Sequence, residues 1–411
     1  MEKPTQDQSS PLPSRHGADL HLARKAAAPI RRFIKGNPEP DGEQWRAIGE
    51  SLLEGDAPMD RLVDWMLEQG LASSKPLFDR ALADGIASLG DAPRALRLFF
   101  DQVEATPDWL QPALLHQGAQ ACGLSGLTGM RVLRDLGLLA GYQASAINRT
   151  LVLTGALDKG AQRRVAETSK WWVDCTRPGG MQRFAPGYQG TLQVRLIHAL
   201  IRRRVQALPE WDSAQHGLPI NQGDMHATYL AFSVIFLLGQ RLLGVPLSRR
   251  DGHAVMHLWR YIAWLMGVKD DWLHQSEHAG TVALYHNLLA QAPPDDSSRQ
   301  LGAALKDEPL QRHYPNFHWL RGHWNRALHL SIARTFIGQA GMRALGLPAR
   351  ILPWYPLLSA PPRLLWHCAV RLLPGGRDYL IRHGLRQQQR YLATLFGPAQ
   401  PALTTTPGMP D

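Results

Sequence analysis

Apolar residues recur at three- and four-residue spacing along almost the whole chain, with Pro and Gly punctuating the segments between them. Alternating apolar and polar stretches, the mark of half-buried strands, are few. Such a chain buries its apolar stripes by packing many helices against one another. The spacing predicts helices over about 19–35, 42–54, 58–70, 74–88, 92–104, 108–122, 127–138, 143–154, 160–174, 190–207, 223–243, 249–266, 277–291, 299–306, 317–344, 361–373 and 376–395. Ser248 reads as a helix start and Gly267 as a stop, and the clearest internal loop runs from Pro178 to Gly190. No period of 20–50 residues repeats, which argues against a solenoid. The expected organisation is one large all-α domain over residues 19–396, between disordered tails at 1–18 and 397–411.

Lys and Arg number 45 against 35 Asp and Glu, a formal charge of +10. That balance admits nucleic acid, an anionic membrane surface or an acidic cofactor as partner. The densest basic run, Arg202 to Arg204, carries no interleaved aromatics, so nucleic acid is not expected. Cys122, Cys175 and Cys368 have no paired spacing, which suits a reducing, cytoplasmic setting. Arg31-Arg32 is followed by a polar, Pro-rich segment rather than the apolar run of an export signal. No stretch reaches the roughly 18 apolar residues of a transmembrane helix, and peripheral membrane contact stays open.

Serine-hydrolase, Walker and dinucleotide-binding signatures are absent, as are the Glu-x-x-His pairs of di-iron bundles. His253 with His257, and His274 with His278, have the spacing of metal-binding pairs but lack an evident third ligand. Asp270-Asp271 resembles half of a magnesium-binding diphosphate motif and is better explained as a solvated helix end. The stretch from Thr191 to Val205 is more informative. At helical spacing Val194, Ile197, His198, Ile201 and Val205 share one face, flanked by Arg195 and Arg202 one heptad apart. Two readings fit this pattern: a core histidine bonded to a carbonyl, or an axial haem ligand with cations for the propionates.

Four segments taken together resemble a known family. They are Gly137–Gly155, with Gly141-Tyr142 and Ser145-Ala-Ile-Asn-Arg149; Arg164-Val-Ala-Glu-Thr168; Val194–Arg202; and Ile220–Ser233 continuing to Leu258–Gly267. A weaker match follows at Ser331–Gly338 and Leu345–Pro348. In this order, over roughly residues 100 to 350, they are similar to the rubber-oxygenase catalytic domain. Latex clearing proteins and the chain-cleaving oxygenase of mycophenolic acid biosynthesis share that domain. The resemblance implies a globin-like, all-α domain enclosing a b-type haem, with His198 as axial iron ligand and O2 as co-substrate.

It also implies oxidative cleavage of a carbon–carbon double bond in a hydrophobic, isoprenoid or lipid-like alkene. Arg164, Glu167 and Thr168 match the family's arginine–lysine–threonine set near the haem, with Glu167 in place of lysine, and Asn148 falls near a family glutamate. Glu167 is thus either a base or a structural partner of Arg163, Arg164 or Arg195. Arg195 and Arg202 are expected to support the haem electrostatically or the ligand helix structurally. Asp224 reads as a cap and His226 as a weak rival ligand. The competing function is a non-catalytic haem or lipid carrier on the same scaffold.

Overall fold

The structure, a computed structural model, describes residues 11–155 and 160–398, and every regular element among them is helical. First come α1 (Leu20–Arg31), α2 (Gly42–Ser51), α3 (Ala57–Gln69), α4 (Leu71–Asp84), α5 (Arg94–Glu104) and the long α6 (Pro112–Val132). The middle of the chain forms α7 (Ser145–Leu153), α8 (Ala161–Thr176), α9 (Pro186–Gln206), α10 (Ser213–His216), α11 (Gln222–Leu230), α12 (Phe236–Leu242) and α13 (Arg249–Leu265). It ends with α14 (Glu277–Ala290), α15 (Asp296–Asp307), α16 (His318–Ala344), α17 (Trp354–Arg371) and α18 (Gly376–Phe396).

Short polar side chains start several of these helices. Asp41, Ser248 and Asp295 each close a capping box with the residue three ahead, satisfying amides that the first turn leaves unpaired. Helix α6 is packed by both α13 and α18. At the α18 crossing, a Cβ on Gly384 would lie 2.0 Å from the Gly123 carbonyl oxygen, so only glycine lets the backbones approach. One buried apolar cluster runs in sequence from Met59 to Leu395. A smaller one joins Ala23, Ala27 and Ile34 to Tyr285 and Leu289.

Several expected boundaries move, each for a local reason. The break placed between 122 and 127 is a kink inside α6, at Gly126 with φ +49°. Pro186 opens α9 from its first turn, where its missing N–H costs nothing, and so shortens the expected 178–190 loop. The 223–243 segment is interrupted by a π-helical turn at Ala231–Ile235, which packs on a second such turn at Leu133–Leu139. Helix α17 begins at Trp354, seven residues before the expected start at 361, with Pro361 and Pro362 inside it.

The N-terminal tail expected to reach residue 18 is corrected in its second half. Residues 14–19 form turns, and the buried Arg15 Nη2 donates to both carboxylate oxygens of Asp224 at 2.9 Å. The partner is 209 residues away, beyond the reach of local pattern. The rest of the expected tails, 1–10 and 399–411, lies outside the described residues.

Candidate functional site

Helices α8 and α9 pack together across the turn at 177–185, and their register follows from three contacts. Trp171 Nε1 donates to Thr191 Oγ1 at 3.1 Å, and Cys175 Sγ lies 3.5 Å from that hydroxyl and 3.7 Å from the Gly187 carbonyl oxygen. Gly187 is required there, because a Cβ would meet the Cys175 backbone at 2.7 Å. Residues 175 and 187 are therefore level, as are 171 and 191. Continued at helical spacing, the same antiparallel register brings Thr168 level with Val194, and Arg164 level with His198.

His198 makes no hydrogen bond through either ring nitrogen among the described residues. Its Nδ1 is sealed from solvent without a partner, whereas Nε2 keeps accessible surface and the residue as a whole is half-buried. Burial, reinforced by the Arg202 charge, pushes its pKa down to about 4, so the ring is neutral near pH 7. A neutral imidazole with a free nitrogen beside accessible space is the donor that haem iron accepts. An orphaned buried Nδ1 is also hard to explain for a histidine whose task is hydrogen bonding.

On α8, the Arg164 guanidinium lies over the Tyr142 ring at 5.5 Å, and its Nη1 is buried with no acceptor. Thr168, half-buried one turn later, has no side-chain hydrogen bond among the described residues. Glu167 accepts from Arg163 Nε at 3.0 Å on the outer part of the helix. Asn148 is fully buried: its amide nitrogen donates to the Tyr142 carbonyl oxygen at 2.7 Å and to Ser298 Oγ at 3.2 Å, while Oδ1 has no donor. Beside this pair of helices Trp171 meets Phe232 and Trp259 edge-on, and those two rings stack at 4.9 Å. Phe232 belongs to the π-helical turn, a distortion often found near functional sites.

Arg195 and Arg202 are placed otherwise than a role in holding propionates requires. Arg195 Nε and Nη2 donate to the two Asp56 carboxylate oxygens at 2.6 and 2.7 Å, and Nη1 donates to the Leu265 carbonyl oxygen at 3.0 Å. Arg202 pairs with Asp60 and donates to the Pro219 and Ile220 carbonyl oxygens at 3.2 and 2.9 Å. One heptad on α9 thus matches one turn on α3, and the two guanidiniums tie the His198 helix to its neighbours. The periodicity was visible in the sequence; the carboxylates that consume it lie about 140 residues away.

The remaining candidates are elsewhere. His226 Nε2 lies 2.9 Å from His274 Nε2, and both rings line a separate cavity of 620 Å³ with His286, Trp272 and Asn287. Asp224 belongs to the first turn of α11, bonded by Arg15 and by the capping Asn221. His257 is buried and accepts from the Gln111 amide at 3.0 Å, while His253, His278, Asp270 and Asp271 are exposed. Among the described residues, no group of three or more His, Cys, Asp or Glu is arranged to hold a metal ion.

Sequence reasoning missed one buried polar centre. Glu308 accepts from Arg134 at 2.8 Å and from Arg312 at 2.7 and 2.8 Å; Arg134 also donates to Asp135 at 2.7 Å, and His329 Nδ1–H donates to Asp135 at 2.7 Å. Glu308 and Arg312 are one turn apart and Arg134 and Asp135 are neighbours, but no spacing rule joins these two pairs to each other or to His329.

Comparison with known proteins gives three findings. The family described as ER-bound oxygenase mpaB/B'/Rubber oxygenase, catalytic domain, matches residues 130–375, more than half of the chain. A rubber oxygenase of Streptomyces sp. (strain K30) is 28% identical over 231 residues, 53% of this chain and 53% of that protein. The chain thus spans about half the length of that curated relative. A latex clearing protein in its closed state superposes with a TM-score of 0.60 at 19% identity, covering 82% of this chain and 90% of that one. This last likeness bears on the fold, which is all-α in both the expectation and the structure.

Proposed function

This chain belongs to the rubber-oxygenase catalytic-domain family, and from that premise we propose that it is a haem b-dependent oxygenase. Its proposed reaction uses O2 to cleave a carbon–carbon double bond in a small isoprenoid or lipid-like alkene, with the cytoplasm as its compartment. The observation that carries the reading is His198, an interior imidazole with no hydrogen bond and an accessible Nε2. Haem held there would supply the binding and activation of O2.

The chain's own residues divide the remaining work. His198 would hold the haem iron. Arg164 offers its unpaired Nη1–H to an anionic group placed beside that ring, either a propionate or charge developing on the substrate. The Thr168 hydroxyl, one turn along the same face, can donate or accept. Glu167, held by Arg163, is the proposed proton acceptor where the family resemblance implies lysine. Arg195 and Arg202 are positioning residues, because their ion pairs with Asp56 and Asp60 fix α9 and with it the His198 ring. Trp171, Phe232 and Trp259 supply apolar wall suited to an alkene.

One observation favours the second reading, a haem or lipid carrier without turnover: Glu167, where the family resemblance implies a lysine, is a carboxylate paired with Arg163 on the outer part of α8. Absorbance of the purified protein separates the possibilities. A Soret band that disappears in His198→Ala is expected, and iron-replete protein without that band overturns the haem assignment. With haem present, aldehyde or ketone products from a panel of isoprenoid alkenes support the oxygenase. Absence of product across the panel leaves the carrier.

A further inference from the structure

The water-facing side of α17 is built like the inside of a protein. Its exposed residues fall at Leu357-Leu358, Pro361-Pro362, Leu364-Leu365-Trp366 and Cys368-Ala369, a helical stripe with no charged member. The stripe continues past the helix end to Leu372, 86% exposed, and Leu373. The polar side chains Arg363, His367 and Arg371 are instead half-buried or buried against the body. This inverts the usual amphipathic pattern of a surface helix. The first turns of α16 add Phe317, Trp319, Leu320 and Trp324, all more than half exposed. Trp324 packs on Trp354 at the start of α17, with ring centroids 5.2 Å apart, so the two patches join.

The charge of this sector is equally one-sided. From Pro309 to Arg377 the sequence contains no Asp, Glu or Lys, and nine arginines. Arg312, Arg326 and Arg377 are neutralised by Glu308, Asp307 and Asp251, which lie outside that stretch. Arg321, Arg343 and Arg350 are exposed and have no ion pair among the described residues. At the corner after α17, Nε and Nη2 of Arg371 are buried with no acceptor. Exposed apolar area of this extent marks a docking surface, and unpaired arginines around it specify an anionic counterpart. No helix among the described residues is long and apolar enough to cross a membrane, so this surface can lie on one but not span it.

We propose that α17 and the first turns of α16 form a peripheral membrane-docking surface selective for anionic phospholipid. Leu357, Leu365, Leu372 and Leu373 enter the headgroup–acyl boundary, the tryptophans occupy the interfacial layer, and Arg321 and Arg350 meet lipid phosphates. The surface is distinct from the His198 neighbourhood, and its operation does not depend on haem.

Cosedimentation of the full chain with vesicles of phosphatidylcholine, with and without phosphatidylglycerol, tests the proposal. The chain is expected to sediment with the anionic vesicles, less so at high salt, and to remain in solution with phosphatidylcholine alone. Two exposed substitutions made together, Leu365→Asp and Leu372→Asp, should weaken binding about tenfold or more. Arg321→Gln with Arg350→Gln should reduce the preference for phosphatidylglycerol. Circular dichroism unchanged from the parent establishes that these surface variants fold. Failure of the parent to bind, or binding unaltered in the leucine variant, overturns the proposal. So does a parent dimer that the leucine variant converts to monomer, since the face would then be covered by a second copy.

Discussion

His198 and His329 are interior histidines of two long helices, α9 and α16, and burial lowers the pKa of both. Their surroundings are opposite in kind. His329 donates to Asp135 at 2.7 Å and joins a network in which Arg134, Arg312 and Glu308 satisfy one another's charges. His198 shares its helix face with apolar residues and feels the Arg202 charge; neither ring nitrogen has a hydrogen-bond partner among the described residues, and Nε2 keeps accessible surface. The ordinary explanation of a buried histidine, a polar group fixed by a hydrogen bond inside a core, describes His329 at Nδ1, while its Nε2 is buried without a partner among the described residues. That explanation fails for His198. What separates a structural histidine from a candidate ligand is whether anything else already uses the nitrogen, and this depends on residues far away in the chain.

The largest expected effect breaks the satisfied region. Glu308→Gln leaves two buried guanidiniums facing a neutral amide, and removing one partner from a buried ion network typically costs about 3–5 kcal/mol. Urea denaturation should reveal a loss of that order. An unchanged midpoint would mean that Asp135 alone neutralises both arginines, contrary to the geometry.

The pH axis separates the two regions next. His198 has a folded pKa of about 4 against an ordinary 6.5, so the unfolded chain binds a proton in that window and the folded one does not. Stability contributed by the neutral ring is present above pH 6.5 and is lost as pH falls towards 4, at about 1.4 kcal/mol per pH unit for each such histidine. Glu308 behaves differently: its arginine neighbours outweigh its burial and hold the carboxyl at about 2, against an ordinary 4.5. Its contribution is present above pH 4.5 and is lost as pH falls towards 2. Denaturation midpoints measured across pH should therefore fall in two stages. His198→Phe should make the upper stage shallower, without abolishing it because His274 also titrates near 4, and should leave the lower stage intact. A steeper upper stage in that variant would contradict the assigned burial.

These contrasts explain how much was legible in the sequence. Helical periodicity, the Ser248 cap and the interruption between 122 and 127 are local signals, and each has a counterpart in the fold, the last as a kink inside α6. The alignment of Arg164 with His198 was implicit in two stripes, but it needed the Trp171–Thr191 contact to set the register. Arg195 and Arg202 left two roles open because a cation beside an apolar stripe looks the same whether its partner is a cofactor or a carboxylate. Only the placement of α3 distinguishes these cases. The Arg134–Glu308 network and the Arg15–Asp224 pair left no local trace, since their members are 174 and 209 residues apart.

The smallest effect on stability carries the sharpest question about the site. Arg163 and Glu167 form an i,i+4 pair whose arginine is mostly exposed, and pairs of this kind contribute about 0–1 kcal/mol. Glu167→Gln keeps the shape of the side chain, so the folded state should survive almost unchanged and any large loss of turnover must come from chemistry. If Glu167 accepts a proton during cleavage, product formation should fall by roughly a hundredfold or more, with the Soret band retained. If it only pairs with Arg163, turnover should follow the small change in stability, and the proton acceptor must be sought elsewhere. Asn148 does not qualify, because its buried amide Oδ1, which has no donor among the described residues, can accept a hydrogen bond but not take up the proton.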